Sequence, residues 1–455
     1  MKLFGTAGIR GLTNIEITPQ FALDLGSAYA CLLNNKGKVA VARDNRYGAL
    51  AIQHAFIAGL LSNGIDVEDC GIVPTPTLAC YIANSSSEGG AIITGSHLAY
   101  NRIGLIFFRS NGACLSSMME EEFEKKYSER VWEKKRAEPE SIGKLTQNAT
   151  AQFIHRDIAL SGIDSKAQAK IASKKFRVLL DPCNGTACQF FASVIRDLGC
   201  EVIEINSEQS PIPSRAPEPK PENLRETARN VMSNDCDLGF ALDTDGDRVV
   251  VIAHNGEIIP NDNIATLLAE QIFSKEKGIC VTPINASMLI EWLTAKYNSK
   301  VEYCRVGAPA IAEKILSVGA SFGYEETGKY FFSPMLWPDA LLGILKILAI
   351  TADRESLTQL LKEFPKFYQK KQAIECEEFK KTKVMEKVDK TWNDSGVVKT
   401  IKVDGIKKFY ENSWLLIRAS GTEPLIRIFS EAQEPRRAEE LLRLGIELVS
   451  KATSD

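Results

Sequence analysis

Apolar and polar positions along this chain follow an order that returns three times. Residues 39–42 form a short apolar run, followed by a polar loop, Arg43-Asp-Asn-Arg-Tyr-Gly48. Positions 49–61 have the apolar spacing of a helix, Ser-Asn-Gly closes it, and residues 65–67 are apolar again. The second copy begins with Arg177-Val-Leu-Leu180 and the loop Asp181-Pro-Cys-Asn-Gly185. A helical pattern over 189–198, a glycine turn and the run 201–205 complete it. The third copy has Ile279-Cys-Val-Thr282, a Pro-Ile-Asn loop, a helical pattern over 287–297 and the run 300–304. Strand, helix and strand at this spacing predict βαβ units with parallel pairing, hence three related α/β domains.

The C-terminal part follows another rule. Residues 397–403, 413–418 and 425–429 read as strands joined by tight turns, with a helix over 435–451. This predicts a smaller antiparallel α+β domain. The chain of 455 residues thus divides into 1–150, 151–254, 255–365 and 366–455. The first break falls in a charged stretch, 129–147, without strand signal; the hairpin turn at 253–258 supplies the second and residues 362–371 the third. Five prolines within 211–221 predict an extended loop inside the second domain.

Composition narrows the function classes. An apolar fraction of 44% and a net charge of -3 are ordinary for a globular protein and give no global field for nucleic acid or an anionic membrane. The eleven cysteines are odd in number, scattered, and without a C-x-x-C pair, so buried free thiols are expected rather than disulfides or zinc. No apolar run reaches the roughly 20 residues of a membrane span, and the longest, 340–352, reads as a buried helix. The first residues show no signal-peptide pattern, so a cytoplasmic location is expected.

Four loops contain chemistry. Thr94-Gly-Ser-His97 follows a buried strand. Its serine is a candidate hydrolase nucleophile, a phosphoryl carrier, or a plain turn residue; Gly-x-Ser-x-Gly is absent. In Asp243-Thr-Asp-Gly-Asp-Arg248, three carboxylates at alternate positions repel unless a cation neutralises them. All-oxygen ligands, few in number, suit Mg²⁺; a solvated acidic turn is the plainer reading. An EF-hand is excluded, because its sixth and twelfth places are here Arg248 and His254. Gly323-Tyr-Glu-Glu-Thr-Gly-Lys329 offers carboxylates and a hydroxyl suited to sugar hydroxyls. Arg418-Ala-Ser-Gly-Thr422 joins two strands, and its hydroxyls, free N–H groups and guanidinium, with Arg427 on the outgoing strand, can form a phosphate nest or simply a hairpin turn.

These loops, one per expected domain, together with Phe4-Gly-Thr-Ala-Gly-Ile-Arg10-Gly11, give the chain its likeness. Over essentially its whole length it resembles the α-D-phosphohexomutase superfamily of phosphomannomutase/phosphoglucomutase and phosphoglucosamine mutase enzymes. The resemblance implies four domains around one central cleft. It implies that hexose 6-phosphate and hexose 1-phosphate, of mannose or glucose, are interconverted through a phosphorylated Ser96 and a hexose 1,6-bisphosphate intermediate. Asp243, Asp245 and Asp247 with Ser96 correspond to the ligands of one Mg²⁺. Arg10, His97, Arg248 and Lys329 correspond to the catalytic surroundings, Glu325 and Thr327 to the sugar contacts. Arg418, Ser420, Gly421, Thr422 and Arg427 correspond to the phosphate site. A phosphoglucosamine mutase and a non-catalytic sugar-phosphate-binding homologue are the alternatives.

The sequence also departs from the family. Leu98 and Ala99 replace Asn-Pro, Ile106 stands where a lysine is usual, Lys329 where many bacterial members have histidine, and Val306-Gly-Ala-Pro lacks a polar residue. The candidates left for acid–base work and charge are His97, Lys329 and Arg102, the last for charge alone, because a guanidinium stays protonated.

Overall fold

The computed structural model describes residues 2–5, 7–354, 356–421 and 423–454. The chain forms two compact units, Met1–Asn261 with Thr327–Leu357, and Asp262–Glu326 with Thr358–Asp455.

The first unit holds two sheets. The larger has six strands in the order Ile9–Leu12, Arg102–Arg109, Gly89–Ile93, Lys38–Arg43, Asp66–Ile72, Leu145–Gln147. Lys38–Arg43 pairs in parallel with both Gly89–Ile93 and Asp66–Ile72, as a crossover through the helix Ala49–Leu61 requires. Ile9–Leu12 and Arg102–Arg109 run antiparallel at the other edge. The second sheet has the order Val249–Ala253, Leu238–Leu242, Arg177–Asp181, Glu201–Glu204, its last two strands parallel and its first two a hairpin. Strands buried on both faces read as unbroken apolar runs such as Leu-Gly-Phe-Ala-Leu, which is why they are visible in the sequence.

Packing around the larger sheet is aromatic: Phe107 lies 5.0 Å from Phe123 and 5.3 Å from Tyr29, ring centre to ring centre. The apolar helix Ala340–Asp353 is buried along nearly its whole length. Asp339 caps it through the amide of Leu342, at 3.0 Å. The second oxygen of Asp339 lies 3.0 Å from His155 Nε2, and His155 Nδ1 lies 2.7 Å from Thr77 Oγ1. This buried chain joins three helices of the first unit. Among the described residues no helix is long and apolar enough to cross a membrane.

In the second unit, Ile279–Pro283 pairs in parallel with Lys300–Cys304 and with Phe322–Glu325. The last sheet is antiparallel, in the order Tyr368–Glu375, Leu425–Ala432, Ser413–Ala419, Ile406–Tyr410, Lys399–Ile401. A buried cation lies inside this unit. Lys407 Nζ sits 4.0 Å from the Trp414 ring centre and 4.9 Å from those of Tyr303 and Phe409, and donates to the Ala286 carbonyl at 2.9 Å. Burial pushes Lys407 down to about 8 and the nearby Glu431 up to about 7. Glu431 accepts from the Met288 amide at 2.7 Å and from the Trp414 indole at 2.8 Å.

Several elements depart from the sequence reading, the strand Ile406–Tyr410 and the helix Lys381–Thr391 among them. Residues 145–147, placed in a strandless linker, extend the first sheet parallel to Asp66–Ile72; three exposed residues at an edge have no apolar pattern to betray them. Tyr368–Glu375, partly assigned to a separator, is an edge strand whose side chains are almost all exposed. The helix Thr75–Ala83 was not predicted; it starts directly after Pro74, with Pro76 in its first turn. All eleven cysteines are free and buried.

Candidate active site

Two loops of the first unit, each the end of a buried strand, meet at Ser96. The chain leaves Gly89–Ile93, and Ser96 takes a left-handed backbone conformation with φ 48°. Its amide donates to Thr94 Oγ1 at 2.9 Å. Its hydroxyl oxygen lies 3.3 Å from His97 Nδ1 and 3.3 Å from Asp243 Oδ2. Ser96 is only 2% exposed, so this is not a solvated turn.

Asp243 belongs to the loop of the hairpin formed by Leu238–Leu242 and Val249–Ala253. Gly246, with φ 69°, makes the bend that lets the loop return. Asp243 Oδ1 accepts from the amides of Asp247 and Arg248, both at 3.2 Å. Thr75 fixes Asp245 twice, its amide to the Asp245 carbonyl at 2.9 Å and its hydroxyl to Oδ2 at 2.7 Å. Lys329 Nζ is 2.7 Å from Asp247 Oδ2 and 5.5 Å from the Trp337 ring centre.

The triad fits a cation. One oxygen from each of Asp243, Asp245 and Asp247 lies within 4.8 Å of the others. Asp245 Oδ1 and Asp247 Oδ1 are buried without a hydrogen-bond partner among the described residues, an arrangement costly for carboxylates on their own. Burial, then the charges of Asp245 and Asp247, holds Asp243 well above the usual carboxylate range. Burial also raises Asp247, against the pull of Lys329. Hard oxygen donors with unfilled lone pairs and mutual repulsion suit Mg²⁺.

The surroundings are cationic. Arg248 lies 3.7 Å from Asp243 Oδ2 and 3.4 Å from Glu218. Arg10, on the strand Ile9–Leu12 opposite Gly104, interacts with Asp245 and Asp247, while burial lowers its pKa. Burial, followed by Arg248, Arg10, Lys329 and Arg46, pushes His97 far below its ordinary value and keeps its imidazole neutral. The structure therefore brings together Ser96, His97, Arg10, Asp243, Asp245, Asp247, Arg248 and Lys329. Ile106 is buried in mid-strand opposite Ile92 and contributes no charge.

Sequence reasoning missed Asp44, Arg46, Thr75, Thr244 and Glu218. The available signal, for two of them, was Asp44-Asn-Arg46 directly after a buried strand, whose two charged side chains turn out to be buried themselves.

Glu325 and Glu326 lie in the second unit, and Thr327 opens the returning segment of the first. Asn285 donates to Glu326, and burial with the neighbouring Glu325 pushes Glu326 up to about 7. Thr327 Oγ1 is buried without a hydrogen-bond partner among the described residues.

The hairpin Ser413–Ala419 and Leu425–Ala432 sets Arg418 directly opposite Arg427. Arg418 pairs with Asp404 at 3.0 Å, and Arg427 pairs with Glu423. Ser420 Oγ accepts from the Glu423 amide at 3.2 Å. Buried Lys381 donates to the carbonyls of Ser420 and Glu423, both at 2.6 Å, and supports the loop from beneath. Gly421 faces open space; Thr422 lies outside the described residues.

Comparison with known proteins agrees along the chain. "Phosphoglucomutase/phosphomannomutase, alpha/beta/alpha domain I" matches residues 1–134, domain II 159–256, domain III 260–368, and the C-terminal domain 373–443. A phosphoglucomutase/phosphomannomutase of Thermococcus kodakarensis is 35% identical over 459 residues, covering 99% of each chain. A phosphoglucosamine/phosphogalactosamine mutase of Sulfurisphaera tokodaii is 32% identical over 453 residues, covering 97% of each. The crystal structure of a phosphoglucomutase/phosphomannomutase family protein from Burkholderia thailandensis has the same fold, with a TM-score of 0.85 at 22% identity, over 99% of this chain and 97% of that one. With all four domains matched in order, the chain belongs to the phosphoglucomutase/phosphomannomutase family of the α-D-phosphohexomutase superfamily and is a phosphohexomutase, an intramolecular phosphotransferase.

Proposed function

We propose that Ser96 carries the phosphoryl group and that the enzyme interconverts hexose 6-phosphate and hexose 1-phosphate of glucose or mannose. The observation that carries this reading is the setting of Ser96 Oγ, 3.3 Å from Asp243 and beside a neutral His97. In the forward step the bond from phosphorus to Ser96 Oγ breaks as a bond forms to the free sugar hydroxyl. The hydroxyl proton passes to His97 Nδ1 and from there to the departing Ser96 Oγ, 3.3 Å away. The dianionic phosphate on Ser96 offsets the surrounding cations and so removes their share of the depression of the imidazole, burial being the larger share. The product, hexose 1,6-bisphosphate, turns over, and its other phosphate returns to Ser96, whose hydroxyl proton passes through His97 to the leaving sugar oxygen.

Asp243, Asp245 and Asp247, with an oxygen on Ser96, are the residues that would hold one Mg²⁺, which when bound neutralises charge on the transferring group. Arg10 and Arg248 add fixed positive charge. Lys329, already paired with Asp247, is assigned to charge balance rather than proton transfer. Glu325 and Thr327 take sugar hydroxyls. Arg418, Ser420, Gly421, Thr422 and Arg427 take the phosphate that is not reacting. The buried free thiols support a reducing compartment, the cytoplasm.

A second reading, phosphoglucosamine mutase, is favoured by the phosphoglucosamine/phosphogalactosamine mutase among the relatives. A coupled assay across glucose, mannose and glucosamine phosphates decides between them. Intact-mass measurement should find phosphate on Ser96, and Ser96→Ala should lose nearly all activity. Wild-type turnover by that variant would end the proposal.

A further inference from the structure

We infer that Arg46, braced by Asp44, is the positioning residue that holds the Ser96 loop in register with the Asp243–Asp247 loop, without touching the phosphoryl group itself. The inference rests on the proposed role of Ser96. Ser96 has a left-handed backbone conformation that is uncommon for a serine, and neighbouring side chains hold it there. Arg46 Nη1 donates to the carbonyls of Ala99 at 2.7 Å and Arg102 at 3.0 Å. Its Nη2 donates to the Ser96 carbonyl and to Thr244 Oγ1, the latter at 3.1 Å. Its Nε faces Asp44 Oδ2 at 3.2 Å. One guanidinium thus spans both ends of the loop that carries the nucleophile.

Asp44 grips the same loop from its start. Its Oδ2 accepts from the Gly95 amide at 3.0 Å, and its Oδ1 from the Arg46 amide at 3.0 Å. Gly95 has no side chain because a Cβ there would run into the Arg46 guanidinium. Thr244 closes the bracket. Lying between Asp243 and Asp245, it donates to the Ser96 carbonyl at 2.7 Å. The same carbonyl therefore receives both Arg46 and the carboxylate loop, and the two loops cannot slide independently.

Arg46 directs its donors at the protein. Four of the five N–H groups of the guanidinium donate to protein oxygens, and Nε is ion-paired with Asp44, so no pair of donors is left to grip a phosphate. Lysine cannot substitute, because three donors on one nitrogen do not reproduce a planar fork across four acceptors.

The test uses full-length protein with Mg²⁺, glucose 1,6-bisphosphate as phosphoryl donor, and a hexose 1-phosphate that the wild type turns over. Arg46→Lys should lower both kcat and the rate of Ser96 phosphorylation by about 10²-fold per folded molecule, the scale of a misplaced reacting group. KM and the Mg²⁺ requirement should change little. Thr244→Val, which keeps volume and removes one donor, should lower the same two rates about tenfold; Thr244→Ser should restore them. If Arg46→Lys does not fold, the threonine pair decides. Wild-type rates in folded Arg46→Lys or in Thr244→Val would overturn the inference, as would a rise in KM at unchanged kcat, the sign of a phosphate ligand. Failure of the wild type to become phosphorylated at Ser96 would instead overturn the phosphoserine reading, whatever the variants do.

Discussion

Two hairpin loops of this enzyme have the same connectivity and opposite construction. The Asp243–Arg248 loop is buried, two of its carboxylate oxygens lack partners among the described residues, and residues from other segments, Thr75 and Lys329, hold it. The loop that follows Arg418 exposes Gly421 and Glu423, and the arginines beside it are paired nearby, Arg418 with Asp404 and Arg427 with Glu423. The first is fixed and electrostatically incomplete; the second has its charges paired and can exchange partners. A group that must stabilise a fleeting charge gains from being rigid beforehand, since reorganisation then costs nothing during the reaction. A group that must catch and release a phosphate gains from having somewhere else to pair.

The sharpest tests of this contrast fall on the buried side. His97→Gln keeps a polar side chain but no basic nitrogen, and should lower kcat by about 10²–10⁴-fold, with KM near wild type in steady-state kinetics. A variant with normal kcat would remove His97 from proton transfer.

Asp245→Asn should lower kcat by about 10²–10³-fold and blunt the response to Mg²⁺. Its effect on stability should have the opposite sign in metal-free protein. Burial raises Asp243 and Asp247, so the folded state binds more protons than the unfolded one. That linkage makes metal-free stability fall as pH rises above the unfolded carboxylate value, about 4. Removing one repelling neighbour should raise the metal-free melting temperature by about 3 °C at pH 8, and by less at pH 5. Calorimetry showing an equal effect at both pH values would break the proposed repulsion.

On the exposed side, Arg418→Met should raise KM by about 10–100-fold, with a smaller fall in kcat. Glu423→Gln releases Arg427 from a surface pair worth little, and should change KM by about twofold or less. A large effect of Glu423→Gln measured in the same assay would mean that this loop, too, is preorganised.

The same contrast governs what could be read from the sequence. The parallel units were legible because strands buried on both faces leave apolar runs, and the acid triad because alternate aspartates between two such runs demand a cation. The edge strands 145–147 and Tyr368–Glu375 were not, since their side chains face water and follow no pattern. The side chains proposed for catalysis were visible as local motifs. Their supports were not: Arg46 acts on Ser96, Ala99 and Arg102 across about fifty positions of chain, and Thr75 on Asp245 across 170. Local spacing has no way to express such partnerships. The direction of His97 was also hidden, because it depends on a left-handed Ser96.

The caged Lys407 has a consequence for how this chain can be divided. Sequence comparison treats residues 373–443 as a module of its own. Yet Lys407 is roofed by Tyr303 and bonded to Ala286, and Glu431 accepts the amide of Met288, all from the preceding module. Cutting the chain between the two would strand an ammonium and a carboxylate against bare aromatic surface. The last domain is a unit of inheritance without being a unit of solubility, and any fragment meant to carry the Arg418 loop has to begin at Asp262 or earlier.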